Sequence, residues 1–243
     1  MRTLIAIPVY NEEQYVGRVL EEVLRYTHDV LILDDGSTDR TPTILAEKPV
    51  DFIRHTRNRG YGRTIRDAFR WVQCYGYDWL ITMDCDEQHE PASLSAFFEA
   101  IERDDADVIS GSRYLNDCRC GDPPPEDRRA INQTVTGWVN DCLGLEITDA
   151  FCGFKAYRVS RLKELKLTVD GYAIPLQFWV QAAAHGQRVV EVPIRLIYND
   201  PNRSFGGPLD DAEKRLSHYR QVFNEELAKY PERFTVNCTG RAG

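Results

Sequence analysis

The chain has no apolar run that approaches the roughly 18 consecutive residues needed for a membrane-spanning helix. It also has no excess of positive charge, since 30 lysines and arginines stand against 38 aspartates and glutamates. Nucleic-acid binders generally carry a basic face, so the formal net charge of −8 argues against a nucleic-acid partner. The N-terminal apolar residues run straight into a turn, which predicts a first buried strand rather than a signal peptide.

A disulfide framework is missing as well. Seven cysteines, an odd number, are scattered along 243 residues, and this pattern predicts reduced thiols in a cytoplasmic protein. Cys118 and Cys120, taken with Cys142 and Cys152, lack a recognised zinc spacing. The composition, 42% hydrophobic and 28% charged, is that of an ordinary globular protein, and the length allows one α/β domain with a sizeable core.

Short apolar runs alternate with helical patterns over the first two-thirds of the chain. The predicted strands are Leu4–Ile7, Val30–Leu33, Phe52–His55, Trp79–Met83 and Val108–Ser110. Apolar residues recur at helical spacing between most of them. This alternation predicts an α/β, Rossmann-like fold with a mainly parallel sheet flanked by helices. In such folds, ligands bind at the carboxyl ends of the strands.

The last third of the chain departs from this alternation. A proline-rich loop at Pro123–Pro125 precedes a predicted helix near Arg129–Leu143, a second helix around Leu176–Ala184 and a strand at Val189–Val192. The segment Leu209–Tyr230 places its apolar residues on one helical stripe. Such a stripe packs on the body of the domain, forms a dimer or lies on a membrane face, and packing on the body is the default expectation.

Acidic residues follow three of the predicted strands. Tyr10–Glu12 follow the first strand, Asp34–Asp39 the second, and the turn after the fourth contains Asp84, Asp86 and Gln88. Side-chain direction alternates along extended chain, so the two carboxylates of the last turn point to the same side. They can reach one divalent cation together, with the amide oxygen of Gln88 as a third ligand. Taken alone, each turn also fits a capped or solvated connection.

Basic residues occur in turns near the same sheet edge. The glycine-containing loop Arg57–Arg63 leads into a helix and suits an anion such as a diphosphate, although it lacks the ending of a Walker A loop. Arg113 follows the fifth strand. Asp149 precedes a glycine turn. Arg203 in a late loop either closes over phosphates or belongs to a solvated turn.

Taken together and in this order, these motifs resemble the family 2 glycosyltransferases, and among them the dolichyl-phosphate or polyprenyl-phosphate mannose and glucose synthases. The resemblance covers about residues 3–205, and its more specific segments are Met83–Pro91, Gly111–Tyr114, Gly153–Arg158 and Val190–Pro193. It implies a GT-A type fold in a single domain over residues 1–208. The nucleotide-binding part would span about 1–115 and the acceptor part about 116–208, followed by a C-terminal amphipathic helix and tail at 209–243.

The resemblance also implies roles for single residues. Binding of the nucleotide sugar falls to Pro8, Tyr10, Glu12, Asp35, Gly62 and Asp84. A Mg²⁺ or Mn²⁺ ion would be held against the donor diphosphate by Asp84, Asp86 and Gln88. The donor diphosphate or an acceptor phosphate would be faced by Arg113, Arg129 and Arg203. The predicted catalytic residues are Asp86, Asp149 and Arg113.

The implied activity is an inverting, metal-dependent transfer of a sugar from a donor of the GDP-mannose or UDP-glucose type to a polyprenyl-phosphate-like acceptor. Such an enzyme would be cytoplasmic and peripheral to the inner face of the membrane, with a homo-oligomer through the C-terminal helix as a further expectation. Two alternatives stay open. One is a soluble glycosyltransferase that uses a hydroxyl of a glycan, small molecule or protein, and the other is a nucleotide-sugar-binding module without catalysis.

One departure from the family pattern bears on the acceptor. The segment matching Gly171–Gln177 usually ends in Glu in that family, and here Gln177 stands in its place. A hydroxyl acceptor needs a carboxylate to take its proton, for which Asp149 is the candidate. A polyprenyl phosphate is already an anionic nucleophile and needs no general base. The glutamine therefore favours a phosphate acceptor.

Overall fold

The computed structural model describes residues 1–85, 90–115, 125–195 and 207–234, and its centre is one seven-stranded sheet. The strands are β1 (Thr3–Val9), β2 (Val30–Asp34), β3 (Asp51–Arg54), β4 (Trp79–Thr82), β5 (Val108–Ser112), β6 (Lys155–Arg158) and β7 (Val189–Pro193). Their order in the sheet is β3-β2-β1-β4-β6-β5-β7. All pairs are parallel except the two made by β6, which runs antiparallel to β4 and to β5.

Helices cover both faces of the sheet. They are α1 (Val16–Val23), α2 (Thr41–Ala46), α3 (Tyr61–Cys74), α4 (Leu94–Arg103), α5 (Glu126–Leu143), α6 (Val159–Leu162), α7 (Ile174–Ala184) and α8 (Ala212–Leu227). Alternate residues of β1 enter two separate cores, because side chains alternate between the faces of a strand. Leu4 and Ala6 pack with residues of α3, α5, α7 and α8, whereas Ile5, Ile7 and Val9 pack with residues of α1, α2 and α4. This double burial explains the near-continuous apolar strands.

The predicted α/β fold with a mainly parallel sheet is confirmed, and the five strands predicted in the first half lie within one or two residues of their observed bounds. Three elements, α2, α6 and β6, were not predicted, and α6 is a single turn of 4 residues. Helix α2 has only 6 residues, too few for a periodic pattern. Strand β6 has 4 residues with a lysine and an arginine at its ends, and it forms because it fills the gap between β4 and β5.

The C-terminal helix packs on the body of the domain, as the default expectation has it. Tyr219, Phe223 and Leu227 on its apolar stripe are buried against the core that contains α5 and α7. Arg215 on the same helix is 3% exposed and donates to Asp127 at 2.7 Å. The stripe is therefore occupied by contacts within the chain, and the oligomeric state stays a prediction.

Two further expectations concern the cysteines and the membrane. Cys74, Cys85 and Cys152 are free thiols, but Cys142 is disulfide-bonded, so the prediction of reduced thiols is wrong at Cys142. Within the ranges that the structure describes, no helix combines the length and the apolar character needed to cross a bilayer.

Candidate functional site

The polar turns predicted from the sequence meet at one edge of the sheet. Strand β1 lies between β2 and β4, so the turns that carry Tyr10, Asp35 and Asp84 are neighbours. The backbone N–H of Asp35 donates to the carbonyl of Val9 at 2.9 Å, which joins the first two turns directly. Arg113 follows β5 and is separated from β4 by the width of β6. The edge thus has an acidic part at β1, β2 and β4 and a basic part at β5.

The turns after β1 and β2 clamp each other through side chains. The N–H of Asn11 donates to Ser37 Oγ at 2.9 Å, and the N–H of Thr38 donates back to Asn11 Oδ1 at 2.8 Å. Asp39 accepts from the N–H of Thr41 at 2.9 Å and from that of Glu13 at 3.0 Å. Asp39 thus satisfies the N–H of Thr41 at the start of α2, but the N-cap residues of α1 and α2 themselves make no side-chain capping hydrogen bond.

Three of the predicted nucleotide-binding residues lie in or beside this clamped pair of turns. Tyr10 is 44% exposed, so its ring is available as a platform for a base. Glu12 is 7% exposed, and its N–H donates to Thr41 Oγ1 at 2.9 Å. Pro8 is half-buried within β1. The arrangement leaves one aromatic face open at the strand ends.

Asp35 holds the basic glycine loop. Its Oδ1 accepts from the N–H of Arg59 at 2.8 Å and its Oδ2 from the N–H of Gly60 at 2.8 Å. A third contact joins Oδ1 to Nδ1 of His55 at 2.6 Å. Asp35 is 4% exposed, and both of its carboxylate oxygens are engaged by the loop N–H groups and by His55. The sequence had indicated a direct contact with the nucleoside and no role for His55.

The start of α3 packs tightly against residues 169–171. A Cβ added at Gly62 would overlap the carbonyl of Val169 and lie 2.9 Å from the carbonyl carbon of Asp170. The N–H of Arg63 donates to the Asp170 carbonyl at 3.1 Å. Only glycine fits at Gly62, so this residue fixes the distance between the loop and the segment before α7. The neighbouring Arg59 is exposed and can reach an anion at the sheet edge.

Asp84, the first predicted metal ligand, lies at the end of β4 against the backbone of Gly153. A Cβ at Gly153 would lie 2.5 Å from Asp84 Oδ2, so the carboxylate fills the space that this glycine leaves. Asp86 and Gln88 lie outside the described residues. Among the residues that the structure does describe, no group of three or more His, Cys, Asp or Glu is arranged to hold a metal.

An aromatic pair beside Asp84 was missed by the sequence reasoning. Tyr61, the first residue of α3, stacks on Tyr172 with ring centroids 5.8 Å apart. Burial, and then the negative charge of Asp84, raise the pKa of Tyr61 well above its ordinary value. Tyr61 also lines a small cavity of about 30 Å³ together with Gly153 and the buried Lys155. The phenol therefore stays protonated next to the carboxylate that we expect to bind a cation.

Arg113 and Asp149 form a two-pronged ion pair on the basic part of the edge. Arg113 Nε donates to Asp149 Oδ2 at 2.6 Å and a second guanidinium nitrogen donates to Oδ1 at 2.8 Å. Asn132 adds a third donor at 2.8 Å. Burial alone would raise the pKa of Asp149, but the charge and hydrogen bonds of Arg113 outweigh it and hold that pKa well below its usual range. With 0% exposure, Asp149 is a poor proton acceptor for a bound hydroxyl.

Of the other two predicted phosphate-binding arginines, the structure describes Arg129 but not Arg203. Arg129 is exposed in the first turn of α5, and its charge acts on Tyr114, the residue next to Arg113. Arg113 itself lies with its guanidinium carbon 5.6 Å from the centre of the Tyr114 ring. The structure thus brings Arg113 and Arg129 to one region. Arg203 lies outside the described residues.

Gln177 turns out to be an internal structural residue. It is 1% exposed, and its Oε1 accepts from the N–H groups of Thr168 at 2.6 Å and Val169 at 3.1 Å. Its Nε2 donates to Glu226 on α8 at 2.7 Å. Both ends of the amide are used to hold the chain together, and a bearing of Gln177 on acceptor chemistry stays a prediction.

Comparisons with known proteins place these observations among related sequences. The family model "Glycosyl transferase family 2" matches residues 4–166. A Micrococcus luteus protein named undecaprenyl-phosphate mannosyltransferase is 33% identical over 233 residues, which covers 90% of this chain and 94% of that protein. The polyprenol monophosphomannose synthase of Mycolicibacterium smegmatis is 34% identical over 206 residues, which covers 79% of this chain and 76% of that protein.

A solved structure supports the fold. Glucosyl-3-phosphoglycerate synthase from Mycobacterium tuberculosis, crystallised with Mn²⁺, UDP-glucose and phosphoglyceric acid, matches with a TM-score of 0.72. The match covers 93% of this chain and 80% of that chain at 13% identity, so it concerns the fold alone. It confirms the GT-A type architecture expected from the sequence.

Proposed function

The chain belongs to glycosyl transferase family 2 and is a glycosyltransferase, and we propose that it transfers a sugar from a nucleotide sugar to a polyprenyl phosphate. The observation that carries the acceptor class is the state of Asp149. This carboxylate, the candidate base for a hydroxyl acceptor, is buried, ionised and fully engaged by Arg113 and Asn132. A phosphate acceptor needs no base, and the two related enzymes named above carry polyprenyl-phosphate or phosphomannose names.

The donor would lie across the ends of β1, β2 and β4. Tyr10 offers an exposed ring to the base, with Pro8 and Glu12 beside it. Asp35 would act by holding the N–H groups of the glycine loop, whose arginines and helix start suit a diphosphate. Gly62 keeps this loop close to the segment before α7. We propose a mannose or glucose donor, and the names of the two related enzymes favour mannose.

The charge at Asp84 fits a cation of the Mg²⁺ or Mn²⁺ class. Its carboxylate is an oxygen donor placed at the strand end, in the space left by Gly153. Asp84 would hold the ion together with Asp86 and Gln88. When bound, such an ion supplies positive charge that stabilises the departing nucleoside diphosphate.

The reaction needs one bond to form and one to break. An acceptor phosphate oxygen attacks the anomeric carbon while the bond from that carbon to the donor diphosphate oxygen breaks, with inversion. Arg113 is kept charged by Asp149, which raises the pKa of the guanidinium against the effect of burial. We assign Arg113 and Arg129 to orienting the acceptor phosphate, with Arg203 as a further expected contact, and Asp149 to positioning Arg113.

An acceptor of this class is anchored in a lipid bilayer, so the enzyme would work at a membrane surface. Arg128 and Arg129, which follow Glu126 and Asp127 at the start of α5, are the described residues that we place towards the lipid phosphate. Neither the cytoplasmic location nor an oligomer through α8 enters the mechanism. Both remain predictions.

The test is a transfer assay with GDP-mannose and UDP-glucose, with Mn²⁺, and with two acceptors that differ only in their phosphate. We expect transfer to a short-chain polyprenyl phosphate and none to the matching polyprenol, with the product extracted into organic solvent. Transfer to the free alcohol, or to a soluble hydroxyl acceptor alone, contradicts the proposal. Binding of either donor without turnover on any acceptor would favour a binding module instead.

A further inference from the structure

A nearly buried histidine at the donor side has no part in the reaction described above. His55 directly follows β3, and its side chain is 9% exposed. Nδ1 lies 2.6 Å from Asp35 Oδ1, and Nε2 lies 3.1 Å from Asp67 Oδ2 on α3. Both ring nitrogens thus face a carboxylate oxygen.

The two contacts together require a particular protonation form. An ionised carboxylate only accepts hydrogen bonds, and a neutral imidazole has a single N–H, so both contacts are hydrogen bonds only for the imidazolium. Burial raises the pKa of Asp67, but the hydrogen bond and charge of Arg63 outweigh it and lower that pKa below its ordinary value. The charged groups around the ring are Asp35 from the β2 turn, Asp67 from α3 and, across Asp67, Arg63 at 2.7 Å and Arg70 at 3.0 Å.

The carboxylate that His55 contacts is the one that holds the glycine loop. Asp35 also accepts from the N–H groups of Arg59 and Gly60, each at 2.8 Å. The same loop continues into Gly62, which packs against the backbone of residues 169–171. A change at His55 is therefore transmitted through one side chain to two loop N–H groups.

We propose that His55 is a positioning residue for the donor: its doubly protonated ring fixes Asp35, and Asp35 fixes the glycine loop for the donor diphosphate. The inference rests on the proposed nucleotide-sugar site. It makes donor binding weaken when the ring no longer donates to Asp35. The turnover step, which depends on the basic part of the edge, is affected little.

The variants are chosen to separate the hydrogen bond from the packing. His55→Asn keeps a donor towards Asp35, whereas His55→Phe fills the ring volume and donates nothing. His28→Asn is the matched control, because His28 is exposed and precedes β2 at the opposite edge of the sheet.

The first readout needs no ligand. Amide hydrogen exchange of Arg59 and Gly60 should be at least about tenfold faster in His55→Phe, and within about threefold of the wild type in His55→Asn and His28→Asn. Unchanged exchange in His55→Phe overturns the inference. Equal acceleration in His55→Asn and His55→Phe also overturns it, because packing alone would then explain the effect.

The second readout is binding of UDP and GDP by calorimetry, with the donor KM and kcat measured alongside. For His55→Phe we expect the Kd and KM to rise about tenfold, with kcat within about threefold of the wild type. An unchanged Kd and KM in His55→Phe, or an equal rise in His55→Asn, overturns the inference.

The two proposals fail in different ways. If the loop amides respond as expected but the wild type binds neither nucleotide, the proposed donor is wrong while the loop contact stands. If a nucleotide binds and all three variants bind it like the wild type, the positioning role is wrong while the proposed function stands.

Discussion

Asp149 illustrates how the site works at the scale of single residues. A carboxylate with 0% exposure stays ionised because Arg113 meets it with two nitrogens at 2.6 and 2.8 Å and Asn132 with a third. The pair keeps the guanidinium charged and fixed in direction. A residue predicted to take a proton thus has the environment of a residue that aims another side chain.

Replacing Asp149 by Asn should therefore remove the negative charge while nearly keeping the shape of the side chain. The amide keeps the volume but leaves the largely buried Arg113 without its counter-charge, which we expect to cost about 3 kcal/mol in the free energy of unfolding. Transfer should fall about 100-fold, because Arg113 loses its orientation. Chemical denaturation and the transfer assay measure the two effects, with Asp141→Asn on the exposed side of α5 as the control. A stable and active Asp149→Asn protein would contradict the assigned role.

The same pair predicts a specific dependence on pH. The folded-state pKa of Asp149 is lowered, so its contribution to stability is present above the ordinary carboxyl pKa and is lost as pH falls towards the folded value. The difference in unfolding free energy between wild type and Asp149→Asn should be constant from about pH 8 to 5 and shrink below about pH 4. A difference that already shrinks between pH 7 and 5 would show a carboxyl that titrates near neutrality, against this assignment.

At the scale of elements, polar side chains fix how the C-terminal part is attached. Glu226 on α8 is 2% exposed and accepts from Gln177 and Gln181 on α7, each at 2.7 Å. Lys229 adds a contact at 2.6 Å. One buried carboxylate therefore links α8 to α7 through two side-chain amides. Gln177 also holds the backbone of Thr168 and Val169, next to the residues against which Gly62 packs.

A glutamate at position 177 should damage this attachment rather than restore a catalytic acid. Gln177→Glu removes a donor and places a second carboxylate against Glu226, for which we expect a loss of about 2 kcal/mol in unfolding free energy and no gain in transfer. Adding Glu226→Gln should recover most of that stability. Gln133→Glu, at an exposed position of α5, is the control and should change little. A faster enzyme from Gln177→Glu alone would contradict the structural role.

The joint between α3 and residues 169–171 makes a second prediction at this scale. Gly62→Ala places a methyl group into the carbonyl of Val169, so we expect a loss of about 2 kcal/mol and weaker donor binding. Gly137→Ala is the matched control, since nothing lies within 4 Å of its added Cβ, and it should stabilise α5 by up to about 1 kcal/mol. Thermal or chemical unfolding of both variants measures the contrast. Equal effects would contradict the close contact.

At the scale of the whole molecule, the α/β architecture can be predicted from the sequence. Both faces of the sheet are buried, so most of its strands are continuously apolar and easy to recognise. Strand β6 was not predicted because the charged residues Lys155 and Arg158 at its ends interrupt the apolar pattern of a buried strand. Its pairing also depends on β4 and β5, which are distant in sequence. The strand-end position of Tyr10, Asp35 and Asp84 followed from parallel topology. The contacts of Asp35 with Arg59, of Asp149 with Arg113 and of Gln177 with Glu226 did not, because these partners are 24, 36 and 49 residues apart in sequence.

The measurement that tests the central claim most directly is the linkage in the product. If the acceptor phosphate itself attacks an α-linked nucleotide sugar with inversion, NMR and mass spectrometry of the lipid product should show one phosphate bridging the sugar and the polyprenyl chain, with a β-configured anomeric carbon. Arg113→Lys, which keeps the charge but loses the two-pronged geometry, should make the same product more slowly. A glycoside of a hydroxyl group, or an α-linked sugar phosphate, would contradict the account.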